Sequence, residues 1–167
     1  MTSSVYASIA YVAWEQSDTQ KCLEYYEASL REDPENLTSL NGLGYVLACE
    51  EKDLTRALSL CKKAVSASPN SAACLDSLGW VYYKLGLMKE AYKYVKQASK
   101  LNGENPEIAE HLRMIAEKGN SLNEKVTLDK LANLIIRGGW PSNIKNEGNK
   151  ANIIPKSYIK AILDKDI

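Results

Sequence analysis

Apolar residues recur every three or four positions along much of the chain, and short polar stretches interrupt them. One stretch has apolar or small residues at positions 40, 43, 44 and 47, and the next has them at positions 57, 61, 64 and 65. This spacing places them on one face of an α-helix. The pattern therefore predicts pairs of short amphipathic helices joined by tight turns.

The same pattern returns with a period of about 35 residues. Leu43 and Gly44 recur as Leu78 and Gly79, at an offset of 35, whereas positions 57, 61 and 64 recur at 91, 95 and 98, at an offset of 34. One extra residue is therefore expected in the turn near residues 50–53. A glycine inside a helix lowers stability by about 1 kcal/mol relative to alanine. Two glycines at the same position of the repeat therefore indicate that another helix approaches closely there. A period of this length is typical of a solenoid of stacked helix pairs.

Three repeat units fit the chain. They lie near residues 3–36, 37–71 and 72–105. Pro34 and Pro69 stand at the two junctions between units. Because a residue before proline disfavours helical geometry, the second helix of a unit is expected to stop just before Asp33 or Ser68.

Helical patterning continues after the third unit. Pro106 and Glu107 favour a helix start, and Gly119 favours its end, so a capping helix is predicted over residues 106–119. Solenoids need such a cap with a polar outer side. We therefore expect the solenoid to occupy residues 1–120.

The remaining residues, 121–167, predict a C-terminal helical extension. An amphipathic stretch ending at Gly138 predicts a helix, and a stretch rich in Asn, Gly and Lys predicts a loop near residues 138–155. The last residues, from Lys156, predict a short helix that would be marginal in isolation. We expect this helix to dock on the solenoid end; entry into a neighbour's groove and disorder are the alternatives.

The recurring columns resemble the tetratricopeptide repeat (TPR), whose pattern is W-x2-L-G-x2-Y, then A-x3-F, then P. The matching residues of the third unit are Leu78, Gly79, Tyr82, Ala91 and Ala98. Those of the second unit are Leu43, Gly44, Ala57, Ala64 and Pro69. The first unit departs most, with alanine in the glycine column. The resemblance covers about two thirds of the chain and implies an all-α, right-handed superhelical solenoid of antiparallel helix pairs with C-terminal capping helices.

The same resemblance implies that the first helix of each unit faces a concave groove. The columns beside the Leu-Gly pair then supply seven candidate partner-binding residues: Tyr11, Trp14, Asn41, Tyr45, Asp76, Trp80 and Tyr83. Tyrosine and tryptophan dominate many binding hot spots. The alternative for this aromatic strip is packing between neighbouring helices.

Members of the tetratricopeptide repeat family that bind heat-shock chaperone tails hold them with a clamp of lysines and asparagines on the first-helix columns. Only Asn41 and Lys84 match such a clamp here, so a chaperone-adaptor role is not expected.

Candidate catalytic and metal-binding chemistry is sparse. His111 is the only histidine and lies in a polar stretch where exposure is expected, while Glu15 and Asp76 are isolated carboxylates. The four cysteines form no C-x-x-C pair, so we expect them to be reduced packing residues. The protein is therefore predicted not to be an enzyme and to need no metal or cofactor.

Composition and charge limit the kind of partner. Residues 1–70 carry 6 basic and 10 acidic side chains, and residues 71–167 carry 15 and 11. This gradient lacks the dense basic stripe of a nucleic-acid binder, so no nucleic-acid partner is expected. No apolar run reaches about 18 residues, so no membrane insertion is expected. We expect a cytoplasmic location, with an envelope-associated fragment lacking its leader as the alternative.

Together these features predict a scaffold or adaptor that binds a peptide or protein segment in the concave groove. The alternative is a structural self-association module that forms homo-oligomers through its open repeat end or its C-terminal tail.

Overall fold

The computed structural model describes the backbone of residues 2–136 and the side chains of residues 2–121. By its internal contacts the chain divides into two compact units, residues 1–126 and 127–167. The described backbone forms seven helices and no strand: α1 (Ser3–Glu15), α2 (Thr19–Glu32), α3 (Leu37–Cys49), α4 (Leu54–Ala67), α5 (Ala72–Lys84), α6 (Met88–Leu101) and α7 (Pro106–Ile136). The predicted all-α solenoid of helix pairs is confirmed.

Consecutive helices pair within each repeat unit. The turns inside the three pairs span residues 16–18, 50–53 and 85–87, so the second turn carries the predicted extra residue. The second helices end at Glu32 and Ala67, just before Asp33 and Ser68, as the two prolines predict. The spacing of the sequence pattern therefore fixes both the turns and the junctions.

The two repeat glycines lie where helices approach most closely. A Cβ added at Gly44 would lie 3.2 Å from the carbonyl oxygen of Ala57. At Gly79 it would lie 3.0 Å from the amide nitrogen of Val95 and 3.1 Å from the carbonyl oxygen of Ala91. These distances are shorter than ordinary van der Waals contact, so the glycines allow the backbones of each pair to touch.

Short polar side chains begin five of the helices. Asp18, Asn36, Asp53 and Ser71 each accept a hydrogen bond from the backbone N–H three residues ahead, and Asn105 does so for α7. Such N-caps satisfy backbone donors that the helix leaves free, and each is worth about 1 kcal/mol. The caps of α3, α5 and α7 follow one another at offsets of 35 and 34 residues, which match the repeat period.

Helix α7 is longer than predicted. It begins at Pro106 with Glu107 in its first turn, as expected, but it continues past Gly119 to Ile136, so the predicted end at Gly119 is wrong. A glycine that ends a helix usually adopts positive φ, and Gly119 does not. The boundary proposed at residue 120 stays a prediction.

The loop predicted near residues 138–155 and the short helix from Lys156 lie outside the described residues. No helix in the described part of the chain combines the length and apolar character needed to cross a membrane.

Candidate partner-binding site

A cavity of about 480 Å³ lies among the first helices of the three units and the beginning of α7. We call it the first-helix cavity. Its lining includes five of the seven predicted site residues: Tyr11, Trp14, Asn41, Tyr45 and Asp76. The repeat columns therefore bring these side chains to one place, although they are up to 65 positions apart in sequence.

The wall formed by the first two units is aromatic and partly open. Tyr11 is 56% exposed, and Trp14 and Tyr45 are half-buried. Trp14 and Tyr45 meet edge to face, with ring centroids 6.2 Å apart and ring planes at 81°. This contact sets the relative orientation of the Trp14 and Tyr45 rings, whereas Tyr11 is the most exposed of the three aromatic side chains.

The third unit departs from the predicted aromatic strip. Trp80 and Tyr83 do not line the cavity; Trp80 is only 7% exposed and stacks on Tyr83 with centroids 4.8 Å apart. The alternative that the sequence left open, packing between helices, therefore describes Trp80. Partner binding stays a prediction for the seven candidate residues, of which Trp80 and Tyr83 lie outside the cavity lining.

His111 is buried, and the expectation of an exposed histidine is wrong. Its ring stacks on Trp80 with centroids 4.0 Å apart, and its Nδ1 lies 2.9 Å from Oδ2 of Asp76. Both side chains are 7% exposed, so Asp76 is not an isolated carboxylate. The polar residues around His111 led to the prediction of an exposed side chain. Its position in the repeat is the signal that could have indicated the contact, because His111 follows Asp76 by one period of 35 residues.

The first turn of α7 also reaches the cavity. The Tyr45 hydroxyl donates a hydrogen bond to Oε1 of Glu107, and Asn105 accepts from the Glu107 amide at 2.9 Å. Burial raises the pKa of Tyr45 above its usual range, and the bond to Glu107 raises it further, so the phenol remains a donor at neutral pH. Sequence reasoning missed Asn105 and Glu107 as site residues because they lie at the end of the third unit and just after it, away from the first-helix columns.

The charged residues of the lining, within the part of the chain whose side chains are described, are all acidic. They are Glu15, Asp76 and Glu107, and among the described lining residues there is no lysine or arginine. Lys84, which partly matched a chaperone clamp, binds Glu51 at 2.8 Å and lies 5.3 Å from the Trp80 ring. Its ammonium group is therefore engaged elsewhere.

The buried cysteines behave as packing residues. Cys22 and Cys61 are fully buried, and burial raises the pKa of these thiols to about 11 and about 12, respectively. A thiol with such a pKa is almost entirely protonated at neutral pH and is a poor nucleophile or metal ligand. In their two units these cysteines fill space beside the first helix.

Comparison with known families agrees with this architecture. Two family models, both described as "Tetratricopeptide repeat", match residues 8–72 and residues 48–115. Together they span about two thirds of the chain. This chain belongs to the tetratricopeptide repeat family. The second of these matches, over residues 48–115, includes the first turns of α7, which carry Glu107 and His111.

A relative with TPR repeats is found in a bacterium. The "TPR repeat-containing protein PA4667" of Pseudomonas aeruginosa is 38% identical over 80 residues, which is 48% of this chain. The matched region spans only 13% of that relative's own length. The similarity therefore concerns the repeats rather than the whole relative.

Solved TPR domains share the fold. The first TPR domain of human RPAP3 is 20% identical, with a TM-score of 0.65 over 74% of this chain and 96% of that one. The Sgt2 TPR domain of Aspergillus fumigatus is 15% identical, with a TM-score of 0.65 over 89% and 91%. The first TPR of Spaghetti, bound to the HSP90 peptide SRMEEVD, has a TM-score of 0.61 at 20% identity over 70% and 92%.

Proposed function

We propose that this TPR protein is an interaction scaffold or adaptor that binds an extended peptide or protein segment in the first-helix cavity. The proposal rests mainly on the exposure of Tyr11 at a cavity whose other walls are already ordered. A large aromatic side chain that is 56% exposed gains little for the fold but offers contact area to a ligand at low entropic cost.

The size and lining of the cavity support this role. A volume of about 480 Å³ holds several side chains of a peptide, and Asn41 supplies an amide for backbone hydrogen bonds. Trp14 and Tyr45 already contact each other, so binding would not have to order them. Preorganised walls of this kind reduce the entropic cost of association. A TPR domain of similar fold, the first TPR of Spaghetti, is bound to an HSP90 peptide, and this supports a peptide-binding role for the present chain.

Affinity purification from the source cell, with Tyr11→Ala and Tyr92→Ala variants, tests the proposal. Both tyrosines are exposed, but Tyr92 is 40% exposed on α6 and does not line the cavity. We expect Tyr11→Ala to lose at least 80% of a partner that Tyr92→Ala retains, because truncating an aromatic anchor removes most of its contact area. Equal retention by both variants, with unchanged melting temperatures, would exclude the cavity as the binding site.

Self-association is the second candidate function. Val5, Tyr11 and Val12 of α1 are 43%, 56% and 51% exposed, so the first helix presents an apolar surface. A second copy could cover this surface as another repeat would. Light scattering, which measures the molar mass in solution, separates the two functions. Self-association predicts that the molar mass rises with protein concentration, and that the Val12→Ser variant has the molar mass of a monomer at every concentration.

A further inference from the structure

We propose that the peptide bound in the first-helix cavity carries a lysine or arginine side chain, held between the aromatic wall and the carboxylates of Glu15 and Glu107. This inference rests on the proposed function and names the chemistry of its partner. It follows from the charges, the unused hydrogen-bond acceptors and the aromatic rings of the lining.

Two carboxylates of the lining, those of Glu15 and Glu107, have no ion-pair partner among the side chains that the structure describes. Other carboxylates form ion pairs, for example Glu27 with Arg56 and Glu51 with Lys84. Since the charged residues that line the described cavity are Glu15, Asp76 and Glu107, the cavity attracts a cationic group and disfavours an anionic one.

The cavity wall also contains acceptors that lack donors. Asp76 is 7% exposed at its side chain, and while Oδ2 contacts His111, Oδ1 has no hydrogen-bond partner among the described residues. Asn41, one period earlier in the same column, likewise has an Oδ1 without a partner. Buried acceptors in native proteins are almost always satisfied. Both oxygens are themselves buried, so a side-chain rotation has to turn them towards the cavity before a guanidinium or an ammonium group of a ligand can donate to them.

The aromatic wall suits the same ligand. The faces of tryptophan and tyrosine attract lysine and arginine through cation–π interactions, and arginine combines such stacking with bidentate binding to a carboxylate. Elsewhere this chain uses the same contact: Lys118 Nζ lies 4.5 Å from the centre of the Tyr83 ring. On α1, Tyr11 and Trp14 closely precede Glu15, so ring faces and a carboxylate occur within about one helical turn.

A library of N-acetylated, C-amidated octapeptides, passed over the immobilised full chain, tests the proposal. Blocked termini remove the ammonium and carboxylate groups that could imitate side chains. We expect retained peptides to be enriched in lysine or arginine at one or more positions. The best peptide is then labelled, and its dissociation constant is measured by fluorescence anisotropy.

The variant Glu15→Gln/Glu107→Gln removes the two charges, and the new amide at position 107 keeps an oxygen that can accept the bond from Tyr45. We expect at least a tenfold loss of affinity for the labelled peptide. The control Glu24→Gln/Glu32→Gln removes two charges from α2, outside the lining, and should stay within twofold of the unmodified chain. Thermal melts of both variants establish that they are folded.

The other outcomes separate the inference from the proposed function. Enrichment of acidic or apolar peptides that depends on Tyr11 would overturn the cationic ligand but leave the cavity as the binding site. Absence of any Tyr11-dependent enrichment would overturn both. A synthetic peptide of residues 137–167, which holds 6 basic and 3 acidic residues, is a third probe. If it binds more tightly than every octapeptide and depends on Glu15 and Glu107, the site belongs to the chain's own segment and an external partner is wrong.

Discussion

At the scale of single residues, small side chains set the distance between the two helices of a unit. Gly79 lets α5 touch the backbone of α6 at Ala91 and Val95, and Gly44 does the same for α3 and α4. A methyl group in either place would meet backbone atoms, which cannot rotate away as a side chain can. The cost of glycine in a helix is therefore offset by closer packing.

Gly79→Ala should destabilise the protein by about 1–3 kcal/mol, because the added methyl group overpacks a contact with backbone atoms. Gly119→Ala is the matched control, since the same methyl group would meet nothing within 4 Å. We expect that change to stabilise the protein by about 0.5–1 kcal/mol, through helix propensity alone. Urea unfolding of the two variants measures both values. A Gly79→Ala protein as stable as the unmodified chain would contradict the packing role of this glycine.

Much of this residue-scale pattern could be predicted from the sequence, because each repeat column has one packing task. Leu43, Gly44 and Ala57 are buried where their columns require it. The accessibility of Trp80 could not be predicted in this way. The burial of Trp80 depends on its neighbour His111, which lies after the last full repeat. His111 occupies the same repeat position as Asn41 and Asp76 but is a different residue type.

At the scale of elements, α7 acts as a fourth first helix against the third unit. His111 contacts α5 through the hydrogen bond to Asp76 and the stacking on Trp80. Glu107 adds a contact with α3 through Tyr45. The start of α7 could be predicted from Pro106, whereas its continuation through Gly119 could not, since a glycine permits a helix stop without requiring one.

His111→Ala should destabilise the protein by about 3–5 kcal/mol, because it leaves the buried Asp76 carboxylate without its partner. Glu110→Ala, which removes only exposed contacts of the same helix, should cost less than about 1 kcal/mol. Urea unfolding at pH 7 measures both variants.

The double variant Asp76→Ala/His111→Ala supplies the coupling. Its loss of unfolding free energy should be smaller than the sum of the losses for Asp76→Ala and His111→Ala by at least about 1 kcal/mol, because removing both partners leaves neither of them unsatisfied. Additive costs would show that Asp76 and His111 contribute independently, and the described role of the pair in seating α7 would be wrong.

At the scale of the whole molecule, the described repeats place a partly open aromatic and acidic cavity on the side of the first helices. The second helices carry exposed side chains such as Tyr92, which does not line this cavity. The five lining residues could be predicted because repeat columns align in a stack. Glu15 and Glu107 could not be assigned to the site, since their roles depend on where the cavity opens and where α7 begins.

The central claim is that partners bind at the first-helix cavity, and site-specific photo-cross-linking tests it most directly. A benzophenone amino acid replaces Tyr11 in one sample and Tyr92 in another, and mass spectrometry identifies the cross-linked segments after irradiation with the enriched octapeptide. The account predicts a cross-link from position 11 and none above background from position 92. Equal cross-linking from both positions, or cross-linking from position 92 alone, would contradict it.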